Sequence, residues 1–120
     1  MKNTRLFMFA ACTLFLAACG RQTVKIMTPP DASNRVLFGA EQLQTTLDKA
    51  GYQVMMQQGD TTFSDPEIKT ILLTEVNDTT LKKEGFHIST PGNMTRVSGR
   101  EGSGVIYGCR ELVDRVNASD

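Results

Sequence analysis

Residues 81–112 read LKKEGFHISTPGNMTRVSGREGSGVIYGCREL, and this stretch decides the fold of the second half of the chain. Residues 86–90 alternate apolar and polar side chains, which is typical of a half-buried strand. Residues 91–93, Pro-Gly-Asn, form a turn signal, and residues 94–98 run back with strand-like composition. The pattern therefore predicts a β-hairpin.

A glycine-rich segment and a helix follow the hairpin. We expect Gly99, Gly102 and Gly104 to allow positive φ or close backbone approach where a strand turns into a helix. The helix is predicted from about Gly104 to Val116, because its apolar residues fall at helical spacing: Val105, Ile106, Cys109, Leu112, Val113 and Val116.

Two residues in the first turns of this helix suggest tight packing. Tyr107 is expected to place its ring on the sheet while its hydroxyl finds a backbone partner. Gly108, without a side chain, is expected to let the helix lie close to a strand. Both roles are structural.

Residues 24–76 predict a strand, a helix and two more strands. Residues 24–28 are a short apolar strand ended by two prolines, and residues 35–50 form an amphipathic helix preceded by the capping residues Asp31, Ser33 and Asn34. Residues 52–56 and 68–76 are predicted strands. The order strand-helix-strand-strand-strand-strand-helix predicts an α+β domain over residues 24–117, with one mostly antiparallel or mixed sheet of about five strands and two helices.

The motifs of the second half of the chain resemble those of a known family. A strand reading like EGF-x-I, a hairpin and then G-x-x-Y-G-x-x-x-L resemble the non-catalytic N-terminal domain, of the chitobiase domain-2 type, that precedes the barrel in β-hexosaminidases and α-glucuronidases. The similarity is specific over residues 81–112, and the matching positions are Glu84, Gly85, Phe86, Gly99, Gly104, Tyr107 and Gly108. The resemblance implies a scaffold. In the related enzymes the catalytic carboxylates lie on the barrel that follows, so we expect them to be absent here.

The N-terminal segment predicts export and lipidation. Lys2 and Arg5 precede an apolar run, residues 6–18, which ends in Leu-Ala-Ala before Cys19. A basic start, a short apolar run and small residues are typical of a secretory signal peptide. The cysteine adds a bacterial lipoprotein interpretation: residues 1–18 are removed, Cys19 carries acyl chains such as palmitate, residues 19–23 form a tether, and the protein lies at the cell envelope. The alternative is an ordinary signal peptide with a chance cysteine.

Composition excludes several classes of function. The chain has 13 basic and 13 acidic residues, and its only adjacent basic pair in the mature part is Lys82-Lys83, so no nucleic-acid surface is expected. His87 is the single histidine, which argues against a catalytic triad or a zinc site with a second histidine. The glycine-rich segment lacks the lysine and hydroxyl of a P-loop. We therefore predict no cofactor and no metal.

The acidic residues do not indicate a catalytic pair. The candidates lie in polar loop or turn contexts: Asp60, Asp65, Glu67, Asp78, Glu84 and Glu101. A glycosidase also needs a cleft and two carboxyl groups with opposed pKa values. Cys109, the one thiol left after processing and lipidation, is either reactive or a core residue, and the apolar stripe around it favours the core.

The sequence leaves two classes of function. The first is a non-catalytic domain of a carbohydrate-active glycoside hydrolase on a lipid-anchored protein, present either as a truncated gene product or as a separately encoded piece that docks on a catalytic barrel. The second is a free-standing envelope lipoprotein that binds a glycan or a protein. For the first class, two helices on one sheet are expected to leave an apolar sheet face open, and this face is the candidate surface for the catalytic partner.

Overall fold

The structure, a computed structural model, describes residues 21–59 and 67–119. The predicted signal peptide and Cys19 lie outside these residues, as do Asp60 and Asp65. The elements in chain order are β1 (Thr23–Thr28), α1 (Asn34–Lys49), β2 (Gln53–Gln58), β3 (Lys69–Glu75), β4 (Phe86–Ser89), β5 (Met94–Gly99) and α2 (Gly102–Ala118). The predicted α+β class and its order of elements are confirmed.

The five strands of the described chain form one mixed sheet in the order β2-β1-β3-β5-β4. β1 pairs in parallel with β2 and β3, and β3 pairs in parallel with β5. The β4–β5 pair is antiparallel, as the predicted hairpin requires. Its connection is short and includes Gly92 with φ +59°, a value that glycine adopts without a steric penalty. The other neighbouring strands are parallel, because the longer connections between them allow the chain to cross back before the next strand begins.

The helix α1 begins where the sequence placed its caps. Ser33 is the N-cap residue, and its Oγ accepts a hydrogen bond from the amide of Val36 at 3.4 Å. The helix ends at Lys49, and Gly51 follows with φ +99°. Its buried face carries Val36, Gly39, Ala40, Leu43 and Leu47.

The two helices pack side by side on one face of the sheet. A Cβ on Gly39 would lie 3.0 Å from the Sγ of Cys109, and one on Gly102 would lie 3.0 Å from the Cβ of Arg35. Early residues of α1 thus meet early residues of α2, so the helices run parallel. The core between helices and sheet contains Val24, Ile26, Val36, Ala40, Leu43, Leu47, Leu73, Val97, Val105 and Cys109. In the described parts of the chain, no helix has the length and apolar character to cross a membrane.

The opposite face of the sheet is not the open apolar surface that the sequence predicted. Met27 and Leu72 are partners in the β1–β3 register and point to this face, since Ile26 and Leu73 point to the core. Their exposed fractions are only 1% and 6%. The expectation of an uncovered apolar face at the centre of the sheet is therefore wrong.

Candidate functional site

The glycines of the resemblance motif meet in one place, which we term the glycine junction (Gly85, Gly99, Gly104 and Gly108). A Cβ on Gly99 would overlap the backbone of Gly104 and the amide of Val105. A Cβ on Gly104 would overlap the carbonyl oxygen of Gly85. None of the four glycines has a positive φ. Of the two explanations offered by the sequence, close backbone approach is therefore the one that applies here.

Hydrogen bonds tie the loop before β4 to the same junction. The amide of Arg100 donates to the carbonyl oxygen of Gly85 at 3.2 Å, and the Arg100 Nη1 donates to the carbonyl oxygen of Leu81 at 2.9 Å. Gly85 in turn donates its own amide to the Lys82 carbonyl at 2.8 Å. Sequence reasoning missed Arg100, because a surface arginine gives no signal that a distant carbonyl is its partner.

Gly108 lets α2 lie directly on the C-terminal hairpin, as predicted. A Cβ at this position would overlap the Val97 side chain and would come within 3.5 Å of the Phe86 side chain. Phe86 starts β4, and Val97 lies within β5 and is fully buried. The motif thus joins a loop, a hairpin and a helix by letting backbone and side chains come close to its glycines, which is a structural function.

Two motif residues are exposed on the surface of the domain. Tyr107 is 41% exposed, so the expected packing of its ring on the sheet is wrong. The reason lies in helix geometry: Tyr107 is two residues from both Val105 and Cys109, and at 100° per residue it points away from the buried face. Glu84 is likewise exposed.

The candidate carboxylates do not form a glycosidase pair within the described residues. Glu67, Asp78, Glu84 and Glu101 are all exposed. The oxygen Oδ1 of Asp78 accepts hydrogen bonds from the hydroxyl and the amide of Thr80, at 2.6 and 3.0 Å. These bonds lower the pKa of the Asp78 carboxyl below its ordinary value. Asp78 is therefore a turn-forming, ionised residue and not a general acid.

The carboxyl ends of the parallel strands, where ligands often bind in α/β sheets, are occupied by a side chain of this protein. Ser33 Oγ donates to Oε1 of Glu75 at 3.0 Å, and a Cβ on Gly102 would lie 3.2 Å from the same oxygen. Glu75 thus lies at the N-termini of both helices, where the helix dipoles favour negative charge. Sequence reasoning missed Glu75, because its partners lie 42 and 27 residues away along the chain.

An open pocket of about 320 Å³ lies at the other end of the parallel strands, where β1, β3 and β5 begin, beside the β4–β5 turn. Its lining includes the apolar side chains of Val24, Leu47, Tyr52 and Ile71. No aspartate or glutamate of the described chain lines it. The volume is at the small end of ligand pockets, and the lining lacks the carboxyl groups that glycoside hydrolysis needs.

Cysteine and histidine provide no reactive centre in the described residues. Cys109 is 1% exposed, and burial raises the pKa of its thiol to about 12, so the predicted core position is confirmed. His87 is exposed on β4, as predicted. Among residues 21–59 and 67–119 no group of three or more metal-ligating side chains occurs.

Comparison with known proteins links the chain to a glycoside hydrolase. Neither a protein-family model nor a curated protein sequence matches. A solved structure described as a GH138 enzyme targeting pectin rhamnogalacturonan II is similar over 81% of this chain, with 41% sequence identity and a TM-score of 0.66. The chain spans only 14% of that enzyme chain. It therefore corresponds to a small, domain-sized part of a glycoside hydrolase.

Proposed function

We propose that this chain is a non-catalytic domain, of the N-terminal type, from a carbohydrate-active glycoside hydrolase. The observation that carries the proposal is the 41% identity over 81% of this chain to only 14% of a GH138 enzyme. The arrangement of the site supports it, because the motif residues hold backbone segments together. The candidate carboxylates within the described residues, Glu67, Asp78, Glu84 and Glu101, lie in exposed turns and loops.

The proposed role is to pack against a catalytic barrel and to support it. The GH138 enzyme is described as targeting pectin rhamnogalacturonan II. We propose that the catalytic partner of this chain acts on a pectic polysaccharide of the same class. The lipoprotein pattern ending at Cys19 adds that the domain is presented at the bacterial cell envelope by acyl chains, whose buried methylenes contribute about 0.8 kcal/mol each.

A domain exchange tests the proposal. The matched segment of the GH138 enzyme is replaced by residues 21–119 of this chain, and turnover of rhamnogalacturonan II is measured. If the two segments are equivalent, the chimera folds and keeps turnover. A matched chimera carrying Gly104→Val should lose both, because a side chain there overlaps the Gly85 carbonyl. A folded chimera without turnover, or one that cannot fold, would contradict equivalence.

The second candidate is a free-standing envelope lipoprotein that binds a glycan. The open pocket beside the β4–β5 turn favours it, because it combines Tyr52 with the polar residues Thr90 and Thr95. Calorimetric titration of the full chain with rhamnogalacturonan II oligosaccharides distinguishes the two candidates. Saturable binding that Tyr52→Ala removes would support the second candidate.

A further inference from the structure

We propose that β2 forms an antiparallel strand pair with β2 of a second copy of this chain, so that the sheet continues through both copies. β2 lies at the end of the strand order and, among the described strands, pairs only with β1. This inference concerns the β2 edge of the sheet, and its test does not depend on the proposed hydrolase role.

The backbone of β2 has a row of hydrogen-bonding groups that no other strand of the described residues pairs with. The amides of Gln53 and Gly59 donate to carbonyl oxygens on the β1 side, at 2.8 and 3.1 Å. In a parallel ladder the residues facing the partner alternate with residues facing away. The odd-numbered residues of β2 therefore face β1. The N–H and C=O groups that point outward belong to Val54, Met56 and Gln58.

This edge lacks the features that usually keep sheet edges apart. Exposed edge strands are commonly protected by charged side chains, proline, a bulge or short length. β2 has six residues, QVMMQQ, with no charge and no proline, and it pairs with β1 in continuous register. Met55 and Met56, which point to opposite faces, are 46% and 41% exposed. The other edge strand, β4, has only four residues.

The sequence of β2 suits a second copy as the partner. A twofold axis through Met56 places this residue opposite its symmetry mate and places Val54 opposite Gln58. These are the three outward-facing residues, so every unused group of the strand finds a partner. No like charges meet across the pair, because β2 is uncharged. A register centred on Met55 would instead leave Gln58 outside the strand pair.

The area of contact sets the expected strength. One six-residue strand pair buries less than the roughly 1,000 Å² of a stable interface. We therefore expect a weak dimer whose population rises with protein concentration.

Sedimentation equilibrium of the full chain, in a detergent that disperses its N-terminal apolar segment, measures the association. The average mass is expected to rise toward that of a dimer with increasing concentration. Met56→Lys should keep the protein monomeric, because a lysine would meet its own copy across the axis. Phe38→Lys is the matched control: Phe38 is 51% exposed on α1, and its replacement should leave the dimer intact.

Hydrogen exchange measured at low and high protein concentration locates the contact. The amides of Val54, Met56 and Gln58 should exchange more slowly at high concentration, whereas those of Met55 and Gln57 are already protected by β1. A monomeric mass at all concentrations overturns the inference and leaves this edge to a strand of another protein. Association that persists in Met56→Lys, or that leaves the three outward amides unchanged, also overturns it.

Discussion

The carbonyl oxygen of Gly85 fills the space that a Cβ on Gly104 would occupy. This contact joins the loop before β4 to the first turn of α2. The amide of Arg100 donates to the same carbonyl at 3.2 Å. Two glycines that are 19 residues apart in sequence thus fix the position of the last helix relative to the sheet. Both belong to the resemblance motif, so the motif contains residues that this packing requires.

The first prediction concerns this contact. Gly104→Ala should lower the free energy of unfolding by about 3 kcal/mol, because the new methyl group overlaps backbone atoms that cannot rotate away. Ser103→Ala, one residue earlier in the same turn, is the matched control and should change stability by less than about 0.5 kcal/mol. Urea denaturation of both variants measures the difference. Equal midpoints for the two would show that the helix moves to accept the side chain.

The second prediction corrects the role expected for Tyr107. If its ring were buried, Tyr107→Ala would cost about 3 kcal/mol or more. Since Tyr107 is 41% exposed, we expect a loss below about 1 kcal/mol. Leu43→Ala, at a position that is 0% exposed, should cost about 2–5 kcal/mol and calibrates the denaturation experiment. A Tyr107→Ala variant as unstable as Leu43→Ala would restore the buried interpretation.

The third prediction concerns the Cys109 thiol, whose pKa burial raises from 9.0 to about 12. Between these values the unfolded chain releases the thiol proton and the folded chain retains it. The stabilising effect is therefore complete below about pH 9 and declines above it, by at most about 1.4 kcal/mol per pH unit. The stability difference between the native chain and Cys109→Ala should shrink as the pH rises from about 9 to about 10.5. A constant difference would mean that the thiol is not buried in solution.

A labelling experiment checks the same thiol at neutral pH. The native chain and Cys109→Ala should consume the same amount of a thiol reagent when folded. In denaturant the native chain should consume one equivalent more.

The fourth prediction concerns Cys19. Because residues 1–18 have the pattern of a lipoprotein signal, cells expressing the chain should incorporate a radioactive fatty acid into it. Cys19→Ala should abolish the label, while Cys12→Ala, within the apolar run, should leave it. Equal labelling of the native chain and Cys19→Ala would refute lipidation at this residue.

The fifth prediction concerns catalysis. The purified full chain should hydrolyse no aryl hexosaminide, aryl glucuronide or rhamnogalacturonan II oligosaccharide, because the candidate carboxylates Glu67, Asp78, Glu84 and Glu101 are exposed and lie in turns and loops, outside any cleft that would hold a sugar between two of them. Glu84→Gln and Glu101→Gln serve as controls. Turnover that one of these substitutions abolishes would make the chain an enzyme.

Local sequence determined the elements of this fold. Period-two alternation predicted β4, the turn residues around Gly92 and the strand-like composition after them predicted β5, and the apolar stripe from Val105 to Val116 predicted α2. The same periodicity was sufficient to place Cys109 in the core. It would also have shown Tyr107 to be exposed, since a residue about 200° from Val105 around the helix lies on its other side. These properties depend on neighbours within a few residues, so a single sequence contains them.

Only the tertiary structure decided how distant segments meet. The strand order, with β1 parallel to both β2 and β3, depends on which strands compete for each edge, and no local pattern encodes it. The burial of Met27 also depends on packing between separate elements. The same is true of the hydrogen bonds from Ser33 to Glu75 and from Arg100 to Leu81. The glycines of the motif predicted close packing in the sequence. Only the tertiary structure shows that Gly85 is the residue against which Gly104 packs. Sequence by itself thus specified the secondary-structure elements and their apolar faces, whereas packing between the elements fixed the contacts of the glycine junction and left β2 with one partner among the described strands.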